Sequence, residues 1–128
     1  MKGPLQAALR TFTKITRPIA LRSAGKQGSK TSAVRHVGRR SGKVYETPVV
    51  ALEHGDDFLI ALPYGRRTDW LKNVLASGKA EIVTDGHTYA VDRPEIIPME
   101  VATVHFRPKE QRLHRRFGVE SALRLHRA

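Results

Sequence analysis

The sequence predicts a mainly β domain with flanking helices (α+β), its strands closed or partly closed into an antiparallel barrel. Three observations point there. Short apolar runs rich in Val and Ile follow one another between turn signals. The pair Asp85-Gly86 between two such runs is a two-residue hairpin signal. Only one short helical pattern interrupts the strands, so the crossover helices that a parallel sheet requires are missing. Antiparallel hairpins leave open edges, and a barrel is the arrangement that satisfies them.

Each element has its own basis. Ser32 to Val37 reads as a strand, followed by the turn Gly38-Arg39-Arg40-Ser41-Gly42-Lys43. Val44 to Glu53 reads as one longer strand interrupted at Pro48, which cannot donate to a ladder and so marks an edge or a bulge. His54-Gly55-Asp56-Asp57 is a hairpin turn, and Phe58 to Leu62 is a buried strand. After the loop Pro63-Tyr64-Gly65-Arg66-Arg67, Thr68 or Asp69 is placed to cap a short helix with Trp70, Leu71, Val74 and Leu75 on its apolar face and Gly78 at its end. Ala80 to Thr84 and His87 to Ile97 form the second hairpin. The last thirty residues are expected to be mostly helical, with Val101, Val104, Leu113, Phe117 and Leu123 as apolar contacts.

The 128 residues suffice for one domain with a real core. The expected division is an arm over 1–31 and a barrel over 32–128. In the arm, Leu5, Ala8, Leu9, Phe12 and Ile15 follow helical spacing, Pro18 is a stop, and residues 22–31 have the Gly, Ser and Lys content of a linker. Cys is absent, which excludes disulfides, thiolate catalysis and Cys-ligated zinc. The six histidines show no metal-ligand spacing, and no metal site is expected. No apolar run reaches the roughly 20 residues of a spanning helix, and the N-terminus lacks the apolar stretch of a secretory signal. A cytoplasmic location follows, with peripheral contact at the inner face of the cell membrane as a further option.

Charge is unevenly placed. The first acidic residue is Glu46, and before it stand Lys2, Arg10, Lys14, Arg17, Arg22, Lys26, Lys30, Arg35, Arg39, Arg40 and Lys43. The later basic residues balance all 12 acidic ones, so the net charge of +11 belongs to the N-terminal third. Such an asymmetry suits an anionic partner: a phosphorylated ligand, an anionic membrane or nucleic acid. Nucleic acid is disfavoured because the stacking aromatics of a single-strand binder are missing. The bland alternative is a solvated basic arm.

Two segments carry chemistry. The turn at residues 38–43 offers two guanidinium groups, an ammonium, a hydroxyl and backbone amides, which together suit a phosphate. It is no nucleotide P-loop: the interval from Gly38 to Gly42 is one residue short, and Val44 stands where a metal-binding hydroxyl is needed. Its bland reading is a solvated basic turn. The second segment, Pro63-Tyr64-Gly65 through Asp69-Trp70-Leu71-Lys72-Asn73, puts a Gly loop before a helix start, where backbone amides can approach a ring or an anion. Trp70, the only Trp, is by itself as well read as a core anchor. With no nucleophile elbow, acidic pair or metal spacing, chemistry here calls for an organic cofactor.

Taken together, His36 to Lys43, Thr47-Pro48-Val49, Pro63-Tyr64-Gly65 and Asp69 to Gly78 resemble, in order and spacing, the deazaflavin (F420)-dependent nitroreductase family over roughly residues 33–98. The resemblance implies an FMN-binding-like split β-barrel. It implies a reductase that passes a hydride from C5 of reduced F420 to a quinone- or nitro-type small molecule. FMN is the alternative cofactor. By the same resemblance, Arg39, Arg40, Ser41 and Gly42, with Lys43 nearby, hold the phosphate. Thr47, Pro48 and Val49 line the deazaflavin ring, Pro63 and Gly65 face it, Trp70 and Asn73 support it, and Lys72 adds charge. Tyr64 is the candidate donor of a proton or hydrogen bond to the acceptor. The alternative function is a non-catalytic protein binding F420, flavin or an apolar ligand on the same barrel.

Overall fold

The computed structural model describes residues 31–128. The expected amphipathic helix over 4–17 and most of the linker lie outside those residues. The described chain forms seven strands: β1 (Ser32–Val37), β2 (Val44–Val49), β3 (Ala51–His54), β4 (Asp57–Ala61), β5 (Lys79–Thr84), β6 (His87–Pro98) and β7 (Ser121–Arg127). Helix α1 (Asp69–Ser77) lies between β4 and β5. Helix α2 (Met99–Ala102), a 3-10 turn (Thr103–His105) and helix α3 (Pro108–Arg116) lie between β6 and β7.

All seven strands belong to one sheet in the order β2-β1-β5-β6-β7-β4-β3, and every pairing is antiparallel. The two edge strands, β2 and β3, are joined by Val50 alone. Two successive Cα steps span less than about 8 Å, so the opposite edges must meet at Val50. The sheet is therefore curled into a barrel that is split between β2 and β3. Pro48 stands on β2 opposite Ala33, on an edge strand as expected. The single strand expected over Val44 to Glu53 is corrected to two, which leave Val50 towards opposite edges. Asp85 and Gly86 both have positive φ, the geometry of a tight primed hairpin turn, and they join β5 to β6.

The expectation of a mostly helical C-terminus is also corrected. Residues 121–127 form β7, paired with β6 on one side and β4 on the other. Its alternation was present in the sequence: Leu123 and Leu125 point into the core, while Arg124 and His126 meet Asp57 at the sheet surface. The nearby basic residues of α3 masked that period-two pattern. Val101, Val104, Leu113 and Phe117, expected as packing residues, are exposed, as is Leu75 of α1, whereas Leu123 is fully buried.

The main core fills the barrel with Val34, Phe58, Ile60, Ile82, Leu123 and Leu125, and α1 adds Leu71 and Val74. A second cluster joins Leu59 and Ala122 to Met99, Ala102 and Phe106, seating α2 and the 3-10 turn against β4 and β7. β6 carries a register irregularity between Asp92 and Glu95, where Arg93 has positive φ and Pro94 offers no N–H. Among the described residues, no helix is long and apolar enough to cross a membrane.

Candidate functional site

The turn between β1 and β2 is closed by its own backbone. Gly38 N–H donates to the Lys43 carbonyl at 2.7 Å, and Gly42 N–H donates to the Gly38 carbonyl at 2.9 Å. A side chain on Gly38 would collide with Ser41 Oγ and the Tyr45 ring, and Gly42 has a φ of 72°. The turn therefore needs glycine at both places, which leaves Arg40 and Lys43 exposed.

Below the turn lies a polar hollow of about 520 Å³, lined among others by His36, Arg39, Arg40, Ser41, Thr47 and Asn73. A continuous hydrogen-bond chain runs through it. Arg39 donates to Asn73 Oδ1 twice, from its backbone N–H at 3.1 Å and from Nη1 at 2.8 Å. Its Nη2 reaches Asp69 at 3.3 Å. Asn73 Nδ2 lies 3.1 Å from His36 Nδ1, and His36 Nε2 lies 3.0 Å from Thr47 Oγ1.

This chain fixes proton positions. Asn73 Oδ1 faces two donors, so its amide NH₂ must face His36 and donate to Nδ1. The neutral imidazole then carries its proton on Nε2 and donates to Thr47 Oγ1. The Thr47 hydroxyl hydrogen is left to point away from His36. Burial holds the His36 pKa down at about 4, against a smaller upward pull from Asp69. Glu46, which also lines the hollow, is neutralised by Arg35 at 3.0 Å.

A second hollow, an apolar cleft of about 700 Å³, is lined by the last residues of β2. Pro48, Val49 and Val50 form one wall, Pro63, Tyr64 and Gly65 another, and Trp70 a third. Helix α3 closes it with Glu110, Leu113, His114 and Phe117. These four positions follow the spacing i, i+3, i+4, i+7, so they share one helix face. Tyr64 is 77% exposed and Phe117 69%, an unusual investment of aromatic surface at a cleft mouth.

Thr68 occupies the position before α1, as expected of a cap, but its side chain caps nothing. Thr68 Oγ1 and His114 Nδ1 are buried without a hydrogen-bond partner among the described residues. Each unpaired group of this kind costs about 1–3 kcal/mol. Burial also lowers the His114 pKa, opposed by Glu110 one turn earlier.

The sequence-derived site residues thus divide. Arg39, Arg40, Ser41, Thr47 and Asn73 line the polar hollow, while Pro48, Val49, Pro63, Tyr64, Gly65 and Trp70 line the apolar cleft. Gly42, Lys43 and Lys72 line neither, though all three are exposed. Arg39 is no free cation, being shared between Asp69 and Asn73. Sequence reasoning missed His36, Thr68, Glu110, Leu113, His114 and Phe117. The stripe on α3 was visible as helical spacing. The role of His36 was hidden, because only the fold brings residues 36, 47 and 73 together.

Comparison with known proteins agrees with this geometry. Solved structures with the same fold include two whose descriptions refer to F420. One is an F420-H2 dependent reductase (11% identity; 76% of this chain and 94% of that chain; TM-score 0.56). Another is an F420 reductase (9% identity; 85% and 91%; TM-score 0.54). A third is a protein related to general stress protein 26, of the pyridoxinephosphate oxidase family, from Clostridium acetobutylicum (14% identity; 77% and 75%; TM-score 0.56). At these identities the likeness establishes the split-barrel fold. No curated protein matches the chain significantly. The family model for F420H(2)-dependent quinone reductase matches residues 8–113, most of the sequence. The chain therefore belongs to the F420H(2)-dependent quinone reductase family, a family of oxidoreductases that depend on reduced F420.

Proposed function

We propose that this chain transfers a hydride from reduced F420 to a quinone- or nitro-type small molecule, using the two hollows as one site. The carrying observation is their junction. Thr47 and Pro48, neighbours on β2, line the polar hollow and the apolar cleft respectively, and so do Asp69 and Trp70 at the start of α1. A ligand with an anionic end and an aromatic end can engage both.

The residues fit such a group. Arg40 and Lys43 are exposed beside the open turn at Gly42, where a side chain would meet nothing within 4 Å. Ser41 adds a hydroxyl, and Arg39 is presented in a fixed position by Asp69 and Asn73. Charge-assisted bonds from such groups each contribute about 1.5–3 kcal/mol. Pro48, Val49, Pro63 and Gly65 give a flat apolar lining, with Trp70 beside them. Thr47 directs its hydroxyl hydrogen away from His36, Asn73 holds the arginine, and Lys72 adds charge from the exposed side of α1. Bound F420 supplies a hydride and, on reoxidation, a proton; the acceptor takes up both. Tyr64, at the mouth of the cleft, donates a hydrogen bond or proton to the acceptor.

Titration with F420 and FMN tests the cofactor. F420 binds more tightly, and equal or tighter FMN binding overturns the assignment. Reoxidation of F420H2 on adding menadione tests catalysis. Tight F420 binding without turnover would establish the alternative, a non-catalytic F420-binding protein.

The reading includes a cytoplasmic location, with residues 1–31 as a basic arm that contacts an anionic membrane peripherally, before a barrel domain over 32–128. Its support is the concentration of positive charge before Glu46 and the apolar spacing of Leu5, Ala8, Leu9, Phe12 and Ile15. The full chain sediments with anionic liposomes at low salt, and deletion of residues 1–30 abolishes this while F420 affinity is retained. A full chain that stays in solution refutes membrane contact.

A further inference from the structure

Successive strand side chains point to opposite faces of a sheet. Val34 of β1 and Ile82 of β5 stand opposite each other in the main core, so Ala33 and Val83, also directly opposite, point outward. On the same outward face Arg35 meets Glu46 of β2 at 3.0 Å and Glu81 of β5 at 3.5 Å. Val44, two residues before Glu46 on β2, faces outward with it. The second face of an antiparallel sheet is ordinarily solvated unless a further element covers it. Yet Ala33 and the Glu46 side chain are wholly buried, and Val44 is 2% exposed.

The described helices do not account for this burial. Leu71 and Val74 of α1 belong to the core inside the barrel. Met99 and Ala102 of α2, with Phe106, cover the outer face elsewhere, against Leu59 and Ala122. Helix α3 has no buried residue. Ala33 and Val83 form a cluster of their own, with no other hydrophobic side chain packed on it among the described residues. The preceding chain joins the barrel at Thr31, two residues before Ala33.

We propose that Ile19 and Leu21, in the chain before Thr31, dock on the outward face of β2, β1 and β5 and supply its cover. Residues 22–31 hold no apolar side chain larger than Ala24, so Ile19 and Leu21 are the first available going back from the barrel. Two residues apart, they face the same way in an extended segment, and a pair of side chains suits a patch made of Ala33, Val44 and Val83. Charge agrees: the outward face carries the carboxylates of Glu46 and Glu81, while Arg17 and Arg22 bracket the docking pair, with no acidic residue before Glu46. The intervening stretch of about ten residues spans up to roughly 33 Å, ample for a return to the start of β1. Such a clasp ties the basic arm to the barrel and leaves the stripe from Leu5 to Ile15 for the bilayer contact above.

The chain has no Cys, so introduced thiols are its only ones. Val83→Cys is combined in turn with Ile19→Cys and Leu21→Cys in the full chain and oxidised with oxidised glutathione, with Ala33→Cys in place of Val83→Cys should the latter fail to fold. We expect an intramolecular disulfide from at least one pair, read by mass spectrometry and non-reducing gels, and none from Val83→Cys with Phe12→Cys. A disulfide between two chains assigns the cover to a second copy. One from Phe12→Cys assigns it to the helical stripe. Either result, or no disulfide in folded variants, overturns the proposal. Thiol protection gives a second readout. The lone thiol of Val83→Cys should react with Ellman's reagent equally slowly after deletion of residues 1–17, and at least about 10-fold faster with Ile19→Asn and Leu21→Asn together. Ala122→Cys, buried beneath α2, should stay protected throughout. Equal Val83→Cys rates with and without the two asparagines also overturn the proposal. Exposure of Ala122→Cys would mean general unfolding of that variant, and the disulfides then decide.

Discussion

In the polar hollow, both ring nitrogens of His36 and both ends of the Asn73 amide are engaged, and Arg39 is held at its backbone and its guanidinium. Among the residues lining the apolar cleft, Thr68 and His114 each have a buried polar atom with no partner among the described residues, and Tyr64 and Phe117 lie open at the mouth. The two share β2 and the start of α1, so the contrast is not one of scaffold but of commitment. One hollow is already organised by bonds between its own side chains; the other is mostly apolar and open at its mouth. The first suits a resident ligand that must be placed the same way each time, and the second suits an exchanging acceptor.

Removing the centre of the organised hollow breaks the contrast most severely. Asn73 is only 5% exposed and joins His36, Arg39 and, through His36, Thr47. Asn73→Leu leaves His36 Nδ1 and the Arg39 N–H groups without their partner at once. We expect a stability loss of about 2–4 kcal/mol in urea unfolding, together with weaker F420 binding. A loss under about 0.5 kcal/mol, the range of ordinary surface substitutions, would show that the chain of bonds is incidental.

Acid should loosen the same hollow with a predictable sign. His36 titrates near 6.5 when unfolded and at about 4 when folded, because burial disfavours its charged form. Above pH 6.5 neither state takes up the proton. Between 6.5 and 4 the unfolded chain binds a proton that the folded chain refuses, so stability falls as pH falls. The full loss is about 3 kcal/mol, complete once pH drops below the folded value. A protonated Nδ1 would also face the Asn73 NH₂, donor against donor, and force the amide away from Arg39. His36→Gln should flatten this part of the pH–stability profile; an unchanged slope would mean that other groups carry it.

Arginine separates the two kinds of charge on the turn. Arg40→Ala removes an exposed guanidinium beside the hollow, and the expected result is F420 affinity weaker by about 1.5–3 kcal/mol with Tm unchanged. Arg39→Ala should cost affinity and stability together, since Arg39 serves Asn73 and Asp69. If both variants behave alike in unfolding, the distinction between a presented and a free cation is lost.

The sequence exposed the committed hollow and the open cleft to different degrees. The turn at 38–43, Thr47-Pro48-Val49 and the segment from Pro63 to Asn73 were legible because local chemistry marks them: glycines, basic side chains and a helix start. The barrel was legible because short apolar runs between turn signals and the Asp85-Gly86 turn do not depend on distant partners. β7 was not, because Leu123 and Leu125 alternate among basic residues that continue the composition of α3. His36 was read as part of a strand and of the motif at 36–43 but given no role of its own, since its meaning comes from Thr47 and Asn73, 11 and 37 residues away. The cleft wall on α3 was also hidden. Its spacing says that Glu110, Leu113, His114 and Phe117 share a face, but not what that face meets.

The smallest expected effect concerns Tyr64, which bounds the open cleft. Its hydroxyl sits on a residue 77% exposed, in the loop before α1, where solvent reaches it freely. Tyr64→Phe keeps the ring at the cleft mouth and removes only the phenolic proton. If Tyr64 donates to the acceptor, turnover of menadione by F420H2 should fall about 3-fold to 10-fold, the loss of roughly one hydrogen bond in the transition state. KM should change little, because the ring still packs. Water can replace an exposed donor, which is why the effect is small beside that of Asn73, which is itself buried with its partner His36. A solvent that donates in place of Tyr64 should also make the loss shrink as pH falls and hydronium becomes available. A Tyr64→Phe variant with unchanged kcat at every pH would assign Tyr64 to packing alone, whereas a raised KM with kcat unaltered would make it a binding surface for the acceptor ring.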